Sequence, residues 1–194
     1  ERGGGSAMAA YAELFGDAGP ECDAEMIDMV ALALAEMGVR DLEVVVNSLG
    51  GAGTRAVYRD ALVAYLSAHL EALCPECKRR LSTNPLRILD CKVKGCVEVA
   101  SGAPPIVDSL EAPDRAHFDD LRRALDGYGT PYVVEPRLVR GLDYYTRTLF
   151  EVRGRHAEVG SQNALGGGGR YDNLVEQLGG APTPAIGYAL GIDR

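Results

Sequence analysis

Apolar residues return every three or four positions between residues 23 and 38, which is the period of a helix with one buried face. The apolar positions of this stretch are Met26, Ile27, Met29, Val30, Ala33, Leu34 and Met37. Asp23 is a favourable N-cap residue, and Gly38 is of the type that commonly follows a helix. The pattern therefore predicts a helix from about Ala24 to Met37, with Asp23 as its N-cap.

Two later stretches have the same helical period. After Gly50-Gly51, the apolar side of a second helix consists of Val57, Ala61, Leu62, Tyr65, Leu66 and Leu70. A third helix is predicted from about Asp114 to Leu125, and it ends at Gly127-Tyr128-Gly129. Its inward residues are Phe118, Leu121 and Leu125. Residues 50 to 128 are therefore interpreted as a mostly helical segment that is inserted between strands of a sheet.

Predicted strands precede and follow this helical segment in the sequence. Leu42 to Ser48 contains Val44-Val45-Val46, which is typical of a strand buried on both faces. The other predicted strands are Pro131 to Pro136, Leu138 to Gly141, Thr146 to Val152, a segment around Glu158-Val159, and Ala185 to Leu190. A short helix is predicted from Asp172 to Leu178. Strands in series with helices to one side indicate an α+β fold with a mainly antiparallel sheet flanked by helices.

Composition and charge narrow the function classes. The chain has 194 residues and a net charge of −8, which argues against broad nonspecific binding to nucleic acid. Between Cys74 and Cys96 the balance reverses, with six basic residues and two acids, so this segment is either an RNA-facing patch or a solvated surface. The longest wholly apolar run, Met29 to Ala35, is too short to cross a bilayer. We expect a soluble, cytoplasmic protein without membrane contact.

Four of the five cysteines follow a metal-like spacing. Cys74, Cys77, Cys91 and Cys96 form a C-x2-C pair and a C-x4-C pair with thirteen residues between them. An odd cysteine count without a secretory signal favours reduced thiols over disulfides. The spacing is near that of a four-thiolate zinc site, although the second pair is wider than usual. The two interpretations are a structural zinc site and a group of partly buried thiols.

Chemistry-bearing residues concentrate in three segments near the end of the sequence. Leu138 to Val152 carries Arg140, Asp143, Tyr144 and Tyr145 just before or within a predicted strand. The second segment is a run of four glycines followed by Arg170, which suggests backbone N–H groups and a cation that hold an anion or a carboxylate. The third segment is strand-like, broken by glycines, and ends in Asp193-Arg194.

These segments together resemble the catalytic core of the histidyl-tRNA synthetase family. Residues 140–146, Arg-Gly-Leu-Asp-Tyr-Tyr-Thr, are similar to the family's first histidine-specific motif. Residues 168–172, Gly-Gly-Arg-Tyr-Asp, are similar to its second, and Gly187 to Arg194 resembles the third signature motif of class II synthetases. The resemblance extends upstream through Val46 to Gly50 and Thr83 to Asp90. It covers nearly the whole chain from about Tyr11.

The resemblance implies a ligase that joins histidine to tRNA(His) through a histidyl-adenylate, with ATP and Mg²⁺. It also implies a class II synthetase fold and a homodimer in the full-length family member. Three parts are expected: residues 1–49 as the first part of the catalytic core, 50–128 as an insertion domain that faces tRNA, and 129–194 as the second part of the core. The non-catalytic alternative is the histidine-sensing regulatory subunit of ATP phosphoribosyltransferase, which keeps the same fold.

The resemblance also implies roles for individual residues. Arg140 would bridge the histidine carboxylate and the α-phosphate, in keeping with the fixed planar charge that phosphate chemistry requires. Glu13, on a strand expected from Ala9 to Gly16, would hold the substrate amino group. Of the pair Tyr144 and Tyr145, the second would bracket the imidazole together with Tyr171, and Arg194 would lie against the adenine and the far phosphates. For the tyrosines, ordinary core packing is the alternative.

The sequence departs from the family pattern at two places. Ala9 stands where the family usually has a glutamine that contacts histidine, and Gly3 to Ser6 stands where an arginine-rich loop grips ATP. The first class II motif and an anticodon-binding domain are also missing from these residues. We therefore expect weak or absent aminoacylation from this piece alone.

Overall fold

The computed structural model describes residues 8–139, 144–155 and 163–192. Within these ranges the chain forms a six-stranded sheet and six α-helices. The strands are β1 (Ala9–Phe15), β2 (Leu42–Ser48), β3 (Tyr132–Val134), β4 (Thr146–Gly154), β5 (Ala164–Arg170) and β6 (Ala185–Gly191). The helices are α1 (Pro20–Glu36), α2 (Ala52–Ala68), α3 (Pro75–Thr83), α4 (Lys94–Ser101), α5 (Ala112–Tyr128) and α6 (Leu174–Gln177). Three short 3₁₀ turns accompany them, at Leu70–Ala72, Pro85–Ile88 and Ile106–Ser109.

The strands lie in the order β1-β6-β5-β4-β2-β3. Every neighbouring pair is antiparallel except β2 and β3, which are parallel. The α+β class with a mainly antiparallel sheet is therefore confirmed. The valine-rich strand β2 has the predicted bounds, and its residues from Val44 onward are buried. Two apolar clusters enclose it, one on each face of the sheet.

Helices α1 and α5 cover one face of the sheet. They pack against each other and, through residues such as Ile27 and Leu121, against Phe150 of β4 and Ile186 of β6 in a single apolar cluster. Helices α2 to α4 and their connecting turns cover β2 and β4 on the opposite face. On that face, the β1 residues Tyr11 and Phe15 stay exposed. We call the part of this face over β1, β6 and β5 the uncovered sheet face.

Helix α1 begins earlier than the pattern predicts, and Asp23 is not its N-cap. Its N-cap is Gly19, without a side-chain hydrogen bond, and Pro20 occupies the first turn. Proline suits that position because its missing N–H would have no partner in the helix. Asp23 lies in the first turn and is wholly buried, because its carboxylate accepts hydrogen bonds from the interior.

The buried side of α2 agrees with the prediction at Leu62 and Leu66 and differs from it at other positions. Val57, Ala61 and Leu70 are exposed. The buried residues are Thr54, Tyr58, Leu62 and Leu66. Tyr58 directs its ring inward and donates a hydrogen bond from its hydroxyl to the Pro104 carbonyl at 2.9 Å. The buried face therefore contains two residues whose polar groups are satisfied internally, and a purely apolar pattern does not reveal them.

The glycine-rich segment is a central strand and not an anion cradle. Strand β5 lies between β4 and β6, and Gly168 pairs with Phe150 on one side and Tyr188 on the other. A Cβ atom at Gly168 would collide with the Gly187 carbonyl, so the sheet needs a residue without a side chain at this point. Close approach of neighbouring backbones explains why a strand forms from residues of low strand propensity.

The remaining expectations are met to different degrees. Helix α5 is confirmed with Phe118, Leu121 and Leu125 buried, and it ends before Gly129, whose φ of 74° is left-handed. Strand β3 and helix α6 are shorter than predicted. Leu138 and Val139 are not in a strand. The residues of the predicted strand around Glu158-Val159, and the Gly3 to Ser6 stretch, lie outside the described residues.

The division into 1–49, 50–128 and 129–194 stays a prediction. Helix α5 falls within the second of these ranges and packs on α1. Among the residues that the structure describes, no helix has both the length and the apolar character that a bilayer crossing requires.

Candidate active site

Four of the predicted site residues come together on the uncovered sheet face. Glu13 projects from β1, Tyr171 follows β5 directly, and Tyr144 and Tyr145 precede β4. The Tyr171 hydroxyl donates a hydrogen bond to the Glu13 carboxylate. The Tyr144 ring centre lies 4.8 Å from that of Tyr145 and 5.9 Å from that of Tyr171. Phe15 meets Tyr171 edge-on, so the carboxylate borders an aromatic wall.

Two glycines form the backbone floor beside these side chains. The register places Glu13 opposite Gly187, and Gly187 opposite Gly169. A Cβ atom at Gly187 would collide with the Glu13 carboxylate, and one at Gly169 would lie 2.9 Å from the Tyr145 ring. The carboxylate and the ring can therefore lie flat against the sheet only because both positions lack side chains.

A bulge in β4 fixes the two tyrosines that precede it. The register with β5 shifts between Thr146 and Leu149, and Arg147 has a left-handed φ of 47°. The Arg147 carbonyl accepts the Leu49 N–H at 2.7 Å. The Arg55 guanidinium donates to the Tyr145 carbonyl at 3.1 Å. Bulges commonly redirect side chains beside active sites, and here the bulge follows directly after the Tyr144-Tyr145 pair.

The electrostatics of Glu13 favour a cationic partner. Its side chain stays open to solvent on one side, but neighbouring groups remove part of its hydration and raise the pKa of its carboxyl above the ordinary value. Burial has this effect because it disfavours the charged form. A bound ammonium would offset the cost, since it pairs with the ionised carboxylate in a charge-assisted hydrogen bond.

Arg170 is not available to a ligand. Its side chain is wholly buried on the α1 side of the sheet, between the acids Asp23 and Asp172. Its N–H groups also donate to the carbonyls of Asp17 and Gly19 at 2.9 and 3.2 Å. All three nitrogens of the guanidinium therefore donate hydrogen bonds within the protein. Burial alone would lower the pKa of Arg170, but the two carboxylates outweigh it and raise that pKa.

Asp23 is the centre of a buried network that the sequence pattern did not reveal. Its carboxylate accepts hydrogen bonds from Arg170, from Thr148 and from the His117 ring, which lies at 2.8 Å. Burial would raise the pKa of Asp23, but hydrogen bonds from His117, Arg170 and Thr148 outweigh it and hold the pKa below the ordinary value. The partners are 94 to 147 residues away in sequence, so local spacing contains no signal for them.

A second buried acid, Asp114, accepts several hydrogen bonds and holds the start of α2 in place. Asp114 accepts hydrogen bonds from the Gly51 N–H at 2.6 Å, the Thr54 hydroxyl at 2.7 Å and the Arg147 guanidinium at 3.0 Å. Burial would raise the pKa of Asp114, but these three donors hold it below the ordinary value. Asp114 therefore connects α2 and α5 to the bulge in β4, which directly follows Tyr144 and Tyr145.

The two predicted phosphate-binding arginines, Arg140 and Arg194, lie outside the described residues. Their positions relative to Glu13 and the tyrosines stay predictions. Asn47 of β2 contacts the segment that precedes residue 140. Its side-chain amide donates to the carbonyls of Pro136 and Leu138 at 3.2 and 3.0 Å. It therefore holds the described segment that leads towards Arg140.

Among the residues that the structure describes, four cysteines of the helical layer form a group that could hold a metal ion. The Sγ atoms of Cys74, Cys77, Cys91 and Cys96 all lie within 4.8 Å of one another. Cys77 and Cys96 are buried, and the other two are half-buried. The sequence spacing therefore brings the four sulfurs to one point, as a four-thiolate site requires.

Comparison with known proteins gives the family. The model of the family described as "Histidyl-tRNA synthetase" matches residues 7–194. The chain belongs to the histidyl-tRNA synthetase family. The resemblance that the sequence motifs indicated is thereby confirmed.

Curated relatives within the family are highly similar over this region. The chain is 55% identical to the histidine–tRNA ligase of Sorangium cellulosum, over 94% of this chain and 42% of that protein. It is 52% identical to the histidine–tRNA ligase of Anaeromyxobacter dehalogenans, over 94% of this chain and 43% of the relative. The chain thus spans less than half the length of these relatives.

Solved structures of the family share the fold. The apo histidyl-tRNA synthetase of S. aureus is 36% identical with a TM-score of 0.77, over 96% of this chain and 45% of that one. A Bacillus halodurans structure described as an ATP phosphoribosyltransferase regulatory subunit/histidyl-tRNA synthetase is 25% identical, with a TM-score of 0.64, over 95% of this chain and 51% of that one. Both a synthetase and a protein with the regulatory description therefore have this architecture.

Proposed function

We propose that the protein containing this chain is a ligase that attaches histidine to tRNA(His) through a histidyl-adenylate. The observation that carries the proposal is the contact of Glu13 with Tyr171, whose ring joins Tyr144 and Tyr145 in one aromatic group over a glycine floor, in a member of the histidyl-tRNA synthetase family. The proposal includes the ATP, Mg²⁺ and homodimer that the family resemblance implies, and a cytoplasmic location.

Glu13 receives the ammonium group of histidine in this proposal. The carboxylate already accepts the Tyr171 hydroxyl, and a carboxylate has further lone pairs for an ammonium N–H. The raised pKa of the Glu13 carboxyl is consistent with a site whose charge is balanced only when a cation is bound.

The tyrosines receive the imidazole ring. A neutral imidazole offers one N–H donor and one acceptor, and phenol hydroxyls can serve as the partner of either. Tyr145 and Tyr171 bracket the ring, and Tyr144 contacts both of these tyrosines. Glycines at 169 and 187 let the Tyr145 ring and the Glu13 carboxylate lie close against the sheet.

Arg140 and Arg194 carry the phosphate chemistry. The histidine carboxylate attacks the α-phosphorus of ATP, the bond to the β-phosphate oxygen breaks, and pyrophosphate leaves. Negative charge develops on the phosphate oxygens during this step, and fixed cations stabilise it. Mg²⁺ bound with ATP supplies further positive charge. The ribose hydroxyl at the end of tRNA then displaces AMP from the carbonyl carbon.

Histidine-dependent exchange of pyrophosphate with ATP tests the activation step in the full-length protein. We expect exchange in the parent protein and its loss in Arg140→Ala. Arg123→Ala, which removes an exposed cation on α5, is the matched control and should keep full exchange. Undiminished exchange in Arg140→Ala would contradict the role of Arg140.

The second candidate is a histidine-sensing regulatory subunit of ATP phosphoribosyltransferase. The Bacillus halodurans structure with that description supports it, because the same fold carries both names. Calorimetry with histidine separates the two candidates. Histidine binding together with exchange supports the ligase, whereas binding without exchange or tRNA charging by the full-length protein supports the regulator.

A further inference from the structure

The four cysteines Cys74, Cys77, Cys91 and Cys96 converge from three separate segments. Cys74 is the N-cap of α3, and Cys77 lies in the first turn of that helix. Cys91 follows the 3₁₀ turn Pro85–Ile88, and Cys96 lies in α4. All four are free thiols, and their Sγ atoms lie within 4.8 Å of one another. We call this group the thiol cluster.

The spacing of the sulfurs matches a tetrahedral metal site. Zn–S bonds of about 2.3 Å in a tetrahedron separate neighbouring sulfurs by about 3.8 Å. The thiol cluster therefore needs a contraction of at most about 1 Å to reach that geometry, given its outer limit of 4.8 Å. Four sulfurs complete the coordination shell of a structural zinc site, which keeps no position for a water or a substrate.

Backbone groups around the thiol cluster are oriented for sulfur acceptors. The Cys77 N–H points at the Cys74 sulfur at 3.4 Å, and the Cys74 N–H points at the Cys96 sulfur at 3.2 Å. Such N–H donors stabilise the negative charge of thiolates and fix the direction of metal ligands. Gly95 allows the approach of α4, because a Cβ atom there would lie 2.9 Å from the Ala72 carbonyl oxygen.

We propose that Cys74, Cys77, Cys91 and Cys96 bind one structural Zn²⁺ ion as thiolates and so join the start of α3, the turn at Cys91 and α4. Binding releases the thiol protons to solvent and changes no oxidation state. The site lies in the helical layer and needs none of the site residues of the proposed function, so either proposal can fail alone.

Apart from its apolar packing, the segment around the thiol cluster has little that holds it together. Helices α3 and α4 have nine and eight residues, too short to be stable by themselves. Surface ion pairs such as Lys78–Glu71 and Lys92–Asp90 are exposed and contribute little. A metal bound to three segments adds to the apolar packing of buried residues such as Ile88 and Val99.

Metal analysis of the full-length protein, purified without a metal-binding tag, tests the proposal. We expect about one equivalent of zinc per chain. Cys96→Ser should reduce it at least fivefold, whereas Cys22→Ser, which changes the one cysteine outside the thiol cluster, should leave it unchanged. Zinc well below one equivalent, even after reconstitution with Zn²⁺ and a reductant, would overturn the proposal. So would iron in place of zinc.

A second measurement keeps the test valid if a cysteine variant does not fold. In the unmodified protein, titration of thiols with a mercurial reagent should release zinc in step with the modification of four cysteines. Replacement by Co²⁺ should give the visible absorption of a tetrahedral four-thiolate site. Disulfides found by mass spectrometry in freshly purified protein, or a Co²⁺ spectrum of octahedral type, would count against the thiolate site.

Discussion

At the scale of single residues, the hydrogen bond between Glu13 and Tyr171 places an acidic group directly beside an aromatic ring. The phenol hydroxyl donates to one carboxylate oxygen, while partial burial raises the pKa of the Glu13 carboxyl. A substrate with both an ammonium group and an aromatic ring satisfies the carboxylate and the tyrosines at once. An amine without a ring, or a ring without an amine, satisfies only half of the site.

Glu13→Gln should therefore weaken histidine binding while it preserves the shape of the side chain. Loss of a charge-assisted hydrogen bond costs about 1.5 to 3 kcal/mol, which corresponds to roughly a 10- to 150-fold rise in the dissociation constant. Calorimetry with histidine measures it. Glu36→Gln, at an exposed position at the end of α1, is the matched control. Equal affinity in Glu13→Gln and the control would exclude Glu13 as the ammonium partner.

Local sequence preferences explain why some residues could be predicted and others could not. Glu13, Tyr144, Tyr145 and Tyr171 were found through motif similarity, and the structure brings them together. Asp23 was misassigned because N-cap preference is a local property, whereas its partners belong to distant elements. No single-sequence pattern distinguishes an acid at a helix start from an acid that turns inward to a buried cation.

At the scale of elements, the paired strands β5 and β6 depend on the absence of side chains. Gly168 and Gly169 of β5, and Gly187 of β6, each lie where a Cβ atom would meet backbone or a site residue. Strand β2 could be predicted from β-branched residues, and α5 from its period. Strand β5 could not, because glycines have no hydrophobic pattern and their requirement comes from neighbours across the sheet.

Gly169→Ala should lower both stability and histidine affinity. The new methyl group would lie 2.6 Å from the Thr148 carbonyl and 2.9 Å from the Tyr145 ring, so both must move. We expect a loss of about 1 to 3 kcal/mol in the free energy of unfolding, from overpacking. Urea denaturation and histidine calorimetry measure the two effects.

Gly127→Ala is the matched control for this substitution. Gly127 lies in α5, and a Cβ atom there meets nothing within 4 Å. Alanine should stabilise the helix by roughly 0.5 to 1 kcal/mol and leave histidine binding unchanged. If both variants behaved alike, the steric account of β5 would be wrong.

At the scale of the whole molecule, two buried acids connect the layers. Asp23 joins α1 to α5, β4 and β5, and Asp114 joins α5 to α2 and β4. Their partners hold the pKa of both carboxyls below the ordinary value of 3.8. A folded-state pKa below the unfolded one means that the unfolded chain binds more protons at low pH.

The stabilisation that these two acids contribute to the folded state should therefore be complete above about pH 4. It should be lost as the pH drops through their folded-state pKa values. We expect the free energy of unfolding to decline as the pH is lowered towards about 2, because protonation removes these hydrogen-bonded carboxylates. Urea titrations at a series of pH values measure it. Asp114→Asn should start lower and decline less steeply, whereas Asp60→Asn, at an exposed position of α2, should follow the parent curve. Stability that stays constant to pH 2 would contradict this role of the two acids.

Consecutive residues of a strand point to opposite faces, and this applies to the end of β5. Arg170 is hydrogen-bonded to Asp23 of α1 on one face of the sheet, and Tyr171 donates a hydrogen bond to Glu13 on the other face. A shift of α1 by a fraction of an ångström would therefore turn the phenol by way of a single peptide unit. In the proposed site, we therefore expect substitutions where α1 contacts Arg170 to change the affinity for histidine.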